Sequence, residues 1–317
     1  FGFNLKILLM GYSKIAKKRV LNYFKKKEYI ISIASLSYKK KIKNISEQFN
    51  SYDVALKKSK ANIVYISLPN SLHFKWAYKA LELGYHVIVD KPLCDTPNEL
   101  NKLINLSYQN KKLLCEATYF NYHDQFNKLI KTIGHFNNIN KVKCEFTIPM
   151  PHKDSLLRSN YFKGGVLMDM GPYASSIARI FFNERILSKQ ISMQRNEKKL
   201  ITSVKFLIKY KNKSYYGNFK FCGKYKNSLT VYYNSNSIVV NRVFSPPSDQ
   251  NLELMNKFKK SISIIKIKKD DCFANFFSDV RTKIKNKDYY FFIDQMKFDN
   301  FFRNKILKVK KTIKKYH

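Results

Sequence analysis

The sequence has no hydrophobic stretch long enough to cross a membrane. None of its apolar runs approaches the roughly 18 residues that a transmembrane helix needs. The apolar start at residues 5–10 is too short and poorly flanked for a signal peptide, and it is typical of a first buried strand. We therefore expect no membrane partner.

Cysteines are few and scattered. The chain has 5 of them, with no CxxC spacing and no pair of histidines at metal-binding spacing. An odd, dispersed set argues against a disulfide framework and against a zinc site. We expect no metal, and a reducing, cytoplasmic environment fits these cysteines best.

Acidic residues are scarce, because 22 Asp and Glu stand against 60 Lys and Arg, and the net charge is +38. Such an excess can mark a nucleic-acid binder. Here it is spread along the chain, and lysine occurs with abundant Asn, Ile, Phe and Tyr, the residues that AT-rich codons encode. Compositional drift explains this pattern better than a nucleic-acid partner does, although a basic patch at residues 303–317 stays open.

The hydrophobic content is 44% and the aromatic content 15% over 317 residues, which predicts a globular chain with two domains. Its centre, residues 62–92, has the pattern strand, turn, helix, strand, with buried strands at 63–68 and 86–89 and Gly84 closing the helix. Polar residues follow both strands, at 69–73 and at 90–91. In open α/β sheets, ligands bind beyond the carboxyl ends of the strands, so we expect a site there.

The first strand is followed by a turn at residues 11–16 that has the layout of the dinucleotide fingerprint G-x-G-x-x-G/A. Gly11 is the turn glycine and Ala16 is an accepted third position, while Ser13 replaces the second glycine. The helix that follows would offer its N-terminus to a pyrophosphate. A plain strand-to-helix turn is the alternative.

The next predicted strand, residues 29–35, is not followed by an acid that could hold the ribose hydroxyls of NAD. The stretch contains Ser35 and Ser37 instead, which favours NADP over NAD. We expect a helix from there to about Phe49.

Strand–helix alternation continues to about residue 118, with a capping box and a first-turn proline at residues 96–99. Beyond residue 120 we expect a helix at 125–133, an alternating strand at 141–149 and a helix that ends at about residue 182. Antiparallel strands follow from 189 to 244, with helices at 270–285 and 298–314. The fold class is therefore an α/β Rossmann doubly wound parallel sheet plus a C-terminal α+β domain with an open, mostly antiparallel sheet. The predicted domains are residues 1–120, which bind NAD(P), and 121–317, which bind substrate and mediate oligomerisation; the C-terminal helices can pack back on the first domain.

Three motifs in this order resemble the glucose–fructose oxidoreductase / inositol dehydrogenase / rhizopine catabolism (Gfo/Idh/MocA) family. They are the turn at 11–16, the block Pro-Asn-Ser-Leu-His…Gly-Tyr-His-Val…Asp-Lys-Pro at 69–92, and Gly-Gly…Leu-Met-Asp-Met-Gly-Pro-Tyr at 164–173. The resemblance implies an NAD(P)-dependent oxidoreductase that acts on a sugar, nucleotide sugar or cyclitol. It also implies a homo-oligomer, a dimer or tetramer. A dinucleotide-binding sensor or scaffold without turnover is the alternative.

The resemblance assigns roles to single residues. Lys91, Tyr173 and Asp169 match the family's catalytic positions, and a Tyr hydroxyl beside a Lys ammonium suits proton transfer during hydride transfer. Arg158, a rare arginine in this chain, is a candidate for a substrate anion, together with Lys91 and Tyr173 in the substrate site. The residues expected at the cofactor are Gly11, Tyr12, Ser13, Lys14, Ile15, Ser35, Ser37, Leu68, Pro69, Asn70, His73, Asp90 and Lys91.

Simpler interpretations stay open for several of these residues. Asp169 could be a structural acid at a helix start, Tyr173 a packed tyrosine, His73 a helix cap and Arg158 part of a surface ion pair. His86, between apolar residues of a strand, indicates packing rather than chemistry. The chain also departs from the family pattern, with Asp90 in place of Glu, Ser13 in place of Gly, and Leu36 and Asn121 where arginines are frequent.

Overall fold

The computed structural model describes residues 5–13, 15–27, 29–36, 42–258 and 261–307. Lys14 and Ser37, both expected at the cofactor, lie outside these residues, as does the basic tail beyond residue 307. The chain forms two compact units. The first runs to Ala117 and includes Phe277–Asn300, and the second comprises Thr118–Phe276 and the residues from Phe301.

Within the described residues, the sheet of the first unit has six parallel strands. They are β1 (Lys6–Met10), β2 (Ile30–Ala34), β3 (Glu47–Phe49), β4 (Ile63–Ile66), β5 (His86–Asp90) and β6 (Leu114–Ala117). Their order is β3-β2-β1-β4-β5-β6. In this order the connections leave β1 in one direction and β4 in the other, so the topological switch point, where dinucleotides bind, lies between β1 and β4.

Helices connect these strands. The first has a π-helical segment, Ala16–Leu21, that continues into α1 (Asn22–Lys26), and α2 (Tyr52–Lys58), α3 (Asn70–Glu82) and α4 (Pro97–Asn110) follow. The predicted capping box at α4 is present, because the Thr96 hydroxyl and the Glu99 carboxylate each accept a bond from the other's backbone N–H. Gly84 follows α3 with φ of 80°, as predicted from its position at the helix end.

The prediction of a helix running to about Phe49 is wrong throughout its described part, because none of residues 42–49 is helical. Residues 47–49 form the edge strand β3, which pairs in parallel with β2. The Ser32 hydroxyl donates to the Glu47 carboxylate at 2.9 Å, and the Ser35 N–H donates to the Phe49 carbonyl at 3.0 Å. Pairing with the open edge of β2 decided the structure of this segment, and local sequence does not encode that pairing.

The second unit contains a larger, mostly antiparallel sheet. Within the described residues its strands are β7 (Ile139–Ile148), β8 (Ser188–Arg195), β9 (Ile201–Lys209), β10 (Ser214–Phe221), β11 (Lys226–Tyr233), β12 (Asn236–Asn241), β13 (Leu252–Phe258) and β14 (Ser261–Ile267). Their order is β14-β13-β12-β11-β7-β10-β9-β8, and β7 pairs with β10 in parallel. The sequence prediction stopped the strands at residue 244, so it missed the hairpin of β13 and β14.

The second unit's first two helices are α5 (Asp124–Ile133) and α6 (Val166–Phe181), and α6 packs on the sheet. Side chains of β10 alternate between buried and partly exposed, and the buried Tyr215 donates its hydroxyl to the Ala174 carbonyl of α6 at 2.9 Å. α7 (Cys272–Lys285), α8 (Ile293–Phe301) and a π-helical segment, Phe302–Leu307, end the described chain. The predicted fold class, a Rossmann sheet followed by a mostly antiparallel sheet, is confirmed. No helix in the described part of the chain has the length and hydrophobicity of a membrane span.

Candidate functional site

The turn after β1 depends on Gly11. This residue has φ of 100°, which favours glycine, and a Cβ added there would lie 2.8 Å from the carbonyl carbon of Ser67 and would overlap its oxygen. The backbone is fixed on both sides of this point, because the Gly11 N–H donates to the Ala34 carbonyl and the Ser67 N–H donates to the Met10 carbonyl, each at 2.8 Å. The turn therefore leaves β1 in close contact with the end of β4, at the switch point.

Ser13 starts the helix that follows. Its hydroxyl oxygen accepts a bond from the Ala16 N–H at 3.0 Å, and its carbonyl accepts one from the Lys17 N–H at 3.0 Å, which are the two bonds of a helix N-cap. The Lys17 ammonium lies 4.0 Å from the centre of the Tyr12 ring, and Ile15 is exposed. A helix N-terminus carries a partial positive charge, so this turn suits the diphosphate of a dinucleotide.

The residues after β2 bear on the choice between NAD and NADP. The Ser35 side chain is buried, and the next residue, Leu36, is 68% exposed. Neither is an acid, so neither residue supplies a carboxylate that would repel a 2′-phosphate.

His73 connects the loop after β4 to the segment after β5. The ring is buried in α3, and its Nδ1 and Nε2 atoms lie 2.8 Å from the carbonyl oxygens of Pro92 and Leu68. The helix begins after Pro69 without a side-chain cap, so His73 does not act as the cap of α3. It holds together two segments that the sequence places near the cofactor, the loop of residues 68–70 and the segment of Lys91.

The segment that carries Lys91 is fixed on both sides of this residue. The Asp90 carboxylate accepts bonds from the Tyr65 hydroxyl at 2.7 Å and from the Ser67 hydroxyl at 2.6 Å. The peptide bond from Lys91 to Pro92 is cis. Beyond it, the Leu93 N–H donates to the Glu116 carboxylate at 2.7 Å. Lys91 itself is half-buried, on a backbone that its neighbours hold in place.

Sequence reasoning missed Tyr65, Ser67 and Glu116, which support Asp90 and Leu93. Ser67 was included in the predicted strand, and Tyr65 lies in the middle of β4, where an aromatic residue indicates packing. One signal was available: Ser67 is a hydroxyl residue at the end of an otherwise apolar strand, next to the candidate loop.

In the second unit, two glycines position the helix that carries Asp169 and Tyr173. A Cβ on Gly164 would lie 2.7 Å from the Leu156 carbonyl oxygen, and Gly165 has φ of 97° just before α6. The Gly165 N–H donates to the Leu157 carbonyl at 2.8 Å. The glycines therefore bring a short 3₁₀ turn, Leu156–Arg158, against the N-terminus of α6.

Arg158 ends this 3₁₀ turn, and its side chain is only partly buried. Its guanidinium makes one long bond, 3.5 Å from Nη1 to the Pro151 carbonyl oxygen. Among residues 5–13, 15–27, 29–36, 42–258 and 261–307, no carboxylate lies within ion-pair distance of it. The alternative of an ordinary surface ion pair therefore has no support in the described chain.

Phenylalanines surround the ring of Tyr173, which is half-buried. The centres of Phe244, Phe120 and Phe146 lie 5.0, 5.7 and 5.7 Å from the centre of this ring. These ring contacts hold the Tyr173 side chain in one orientation. Tyr173 is therefore a packed tyrosine as well as a candidate acid. The three phenylalanines come from separate elements, and no local signal in the sequence links them to Tyr173.

His86 serves packing. It is buried on β5, its Nδ1 accepts a bond from the Leu113 N–H at 3.0 Å, and its ring lies 5.2 Å from that of Tyr289. Burial, with the nearby Lys112 charge, lowers the pKa of His86 to about 4. The ring is neutral at pH 7 and far from a useful acid–base pKa.

The fold and the site together define a class, a two-unit α/β protein whose first unit is a Rossmann sheet with a dinucleotide turn at its switch point. Residues 5–118 match the family model described as "Oxidoreductase family, NAD-binding Rossmann fold". The family resemblance is confirmed for these residues, which match the family model of the Gfo/Idh/MocA oxidoreductases.

Curated relatives agree with this assignment. The chain is 27% identical over 191 residues to a dTDP-3,4-didehydro-2,6-dideoxy-alpha-D-glucose 3-reductase of Streptomyces violaceoruber, covering 57% of this chain and 56% of that protein. It is 29% identical over 139 residues to D-xylose 1-dehydrogenase (NADP(+)) 2 of Haloferax volcanii, covering 43% of each. The matches span about half the length of such relatives.

Solved structures share the fold over nearly the whole chain. A 3-ketoreductase from Actinomadura kijaniata, in complex with NADP and TDP-benzene, has a TM-score of 0.84 at 19% identity, covering 93% of this chain and 94% of that one. An aldose-aldose oxidoreductase from Caulobacter crescentus has a TM-score of 0.78 at 15% identity, covering 94% of both chains. At these identities the likeness shows the fold alone.

Proposed function

We propose that this protein is an NAD(P)-dependent oxidoreductase that transfers hydride between the nicotinamide and a sugar-like alcohol or ketone. The observation that carries the proposal is the arrangement at the ends of β1, β4 and β5. There the Gly11 turn, the loop held by His73 and the fixed segment of Lys91 follow three neighbouring strands, two of which flank the switch point of a Rossmann sheet.

The residues of the first unit fit a dinucleotide. The N-terminus after Ser13 would receive the diphosphate, and residues 68–70 and 73 would form the loop at the nicotinamide end. Ser35 and Leu36, which leave the second strand without an acid, support NADP over NAD. The NADP in the 3-ketoreductase complex and the NADP(+) in the xylose dehydrogenase name agree with this preference.

The catalytic residues we propose are Lys91, Tyr173 and Asp169. Nicotinamide supplies or accepts the hydride, so the protein's own groups have to move the hydroxyl proton and stabilise the developing oxyanion. A tyrosine hydroxyl can donate the proton to the alkoxide when a ketone is reduced, and a lysine ammonium stabilises the same charge. Asp169, one turn before Tyr173 on α6, would complete this set of ionisable groups.

The substrate class we propose is a sugar or nucleotide sugar. Arg158 supports an anionic substrate, because no carboxylate among the described residues neutralises its guanidinium, and Arg pairs well with phosphate oxygens. The relative from Streptomyces violaceoruber is named for a dTDP-linked keto sugar. We therefore favour a nucleotide-linked keto sugar over a cyclitol.

We assign the cofactor to residues 1–120, and the substrate and self-association to residues 121–317. The second sheet supports a homo-oligomer, since the strand registers align a largely apolar row across one face. Ile264 in this row is 47% exposed, and Ile262 on the same strand is 61% exposed. The aligned residues are Leu207, Tyr216, Lys143, Thr230, Val239, Met255 and Ile264. We place the enzyme in the cytoplasm, in keeping with its dispersed cysteines, and we propose no nucleic-acid partner.

The test is an assay of the purified protein with NADPH or NADH against dTDP-linked and free keto sugars, followed at the nicotinamide absorbance. Tyr173→Phe and Lys91→Ala should each lower turnover by at least ~10²-fold, the usual scale for a positioned acid or electrostatic group. Tyr161→Phe, a change at a tyrosine that is 82% exposed in the same unit, should leave turnover unchanged. Arg158→Gln should raise KM for the nucleotide-linked substrates and spare the free sugars.

Full activity of Tyr173→Phe would assign the proton to another donor. If NADPH binds tightly but no keto sugar on the panel is reduced, and no alcohol is oxidised with NADP, the non-catalytic sensor or scaffold replaces the enzyme.

A further inference from the structure

A chain of hydrogen bonds joins the dinucleotide turn to Asp90. The Ala16 N–H donates to the Ser13 hydroxyl oxygen at 3.0 Å, and the Ser13 and Ser67 hydroxyl oxygens lie 3.2 Å apart. Ser67 then donates to one Asp90 carboxylate oxygen at 2.6 Å, and Tyr65 donates to the other at 2.7 Å. These contacts all lie within the first unit.

Proton counting gives the chain a single direction. The Ser67 hydroxyl has one proton, and a carboxylate can only accept, so that proton lies on the bond to Asp90. The bond between the two serines must then be donated by Ser13, whose oxygen accepts from Ala16. Each donor thus points towards the Asp90 carboxylate, and charge-assisted bonds of this kind are stronger than neutral ones. The Ser13 proton is therefore donated to the Ser67 hydroxyl oxygen within the first unit.

Two of the chain's departures from the family pattern therefore meet at one residue. Ser13 stands where a glycine is usual, and Asp90 stands where a glutamate is usual. A glycine at position 13 would have no hydroxyl to offer Ser67. The shorter Asp90 carboxylate is in contact with Ser67 at 2.6 Å, at the buried end of β4.

We propose that Ser67 is a positioning residue, which couples the helix N-terminus at the cofactor diphosphate to the backbone of Lys91 through Ser13 and Asp90. The inference rests on the proposed function in so far as Lys91 acts on substrate. Its direct consequence is for cofactor binding, because the hydrogen-bond chain couples the ordering of the turn to the ordering of the Lys91 segment.

The experiment is a double-mutant cycle read by calorimetric titration of NADPH, without substrate. Ser13→Ala and Asp90→Ala should each weaken NADPH binding by about fivefold, the scale of one hydrogen bond. Because they break the same chain, the double variant should also lose only about fivefold, where independent effects would multiply to about 25-fold. When Ser67 is already alanine, Ser13→Ala and Asp90→Ala should act independently, so their remaining effects on NADPH affinity should multiply.

Further variants separate positioning from folding. Ser67→Thr keeps the hydroxyl and should bind NADPH within about twofold of the parent protein. Ser67→Cys, which keeps the size but donates weakly, should resemble Ser67→Ala and serves if the alanine variant does not fold. The matched control is Ser32→Ala, because the buried Ser32 hydroxyl also donates to a carboxylate in the same sheet, that of Glu47. It should lower the melting temperature without changing the affinity for NADPH.

The inference would be overturned if the effects of Ser13→Ala and Asp90→Ala on NADPH affinity multiply in the parent protein. It would also be overturned if both Ser67→Ala and Ser67→Cys bind NADPH with unchanged affinity. Neither result bears on turnover. Conversely, a protein that shows the coupling but reduces no substrate would overturn the oxidoreductase proposal and leave the role of Ser67 intact.

Discussion

Gly11→Ala should damage the protein far more than the same change at another glycine with positive φ. The new methyl group would lie 2.8 Å from the Ser67 carbonyl carbon and overlap its oxygen, and φ there is 100°. The Ser67 carbonyl cannot easily move away, because the adjoining N–H of Ser67 is bonded to Met10 of β1 at 2.8 Å. Relief of the overlap would therefore separate the ends of β1 and β4.

The cost can be built from its parts. A non-glycine residue in the left-handed region costs roughly 1–2 kcal/mol. Loss of the bond between Ser67 and Met10 adds about 1 kcal/mol, and forced displacement of packed backbone adds roughly 1–3 kcal/mol. The sum is about 3–6 kcal/mol, a large part of the 5–15 kcal/mol that typically stabilises a folded protein.

Gly134 provides the matched control. It has φ of 70° and ψ of −102°, and a Cβ there would have no neighbour within 4 Å, so Gly134→Ala carries only the conformational part, roughly 1–3 kcal/mol. Urea unfolding gives the stability of both variants, and NADPH titration below the unfolding transition gives their affinity. We expect Gly11→Ala to lose both stability and affinity, and Gly134→Ala to keep its affinity. Equal losses of stability in the two variants would refute the steric argument.

Three further predictions follow from the structure. The pKa of His86 is about 4 in the folded protein, below its ordinary value of 6.5. As the pH falls, the imidazole is therefore protonated in the unfolded chain before it is protonated in the folded one. The free energy of unfolding should fall by up to roughly 3 kcal/mol between pH 6.5 and pH 4. His86→Asn keeps an acceptor for the Leu113 N–H and should flatten this dependence in urea unfolding at pH 4.5 and 7.5; an unchanged slope would assign it to another group. Leu36→Arg should tighten NADPH by about tenfold and leave NADH unchanged, since only NADPH carries the 2′-phosphate, while Leu36→Gln should change neither; equal tightening of both cofactors would place Leu36 away from the 2′-phosphate. Ile264→Glu should convert the proposed oligomer to monomers in sedimentation velocity. The control is Leu83→Glu, a change at an exposed leucine of the first unit, and an unchanged oligomer in Ile264→Glu would exclude this sheet face.

The sequence alone determined those features whose cause is local. An apolar, β-branched run such as 87–89 is typical of a buried strand, and the Thr96 and Glu99 capping box needs no partner beyond its own helix. Gly84 at a helix end is equally local. The alternation of such elements is enough to predict a Rossmann unit, and the motif order indicated the family resemblance.

Other features depend on residues that are distant in sequence. Residues 47–49 became a strand because β2 had a free edge, and the position of that edge is a property of the assembled sheet. The environment of Tyr173 is similar, since its ring is held by Phe120, Phe146 and Phe244, whose spacing in the sequence carries no pattern.

The same distinction between local and distant causes applies to the residues of the candidate site. Residue types and spacing indicated Gly11 and Lys91, because a dinucleotide turn and polar residues at a strand end have a sequence signature, whereas Asp169 and Tyr173 came from the family resemblance. For Ser67 the sequence offered one signal, a hydroxyl residue at the end of an apolar strand, and nothing in that signal identified Asp90 as its partner. Hydroxyl and carboxylate meet there because β4 and β5 are neighbours in the sheet, and only the tertiary structure makes them so.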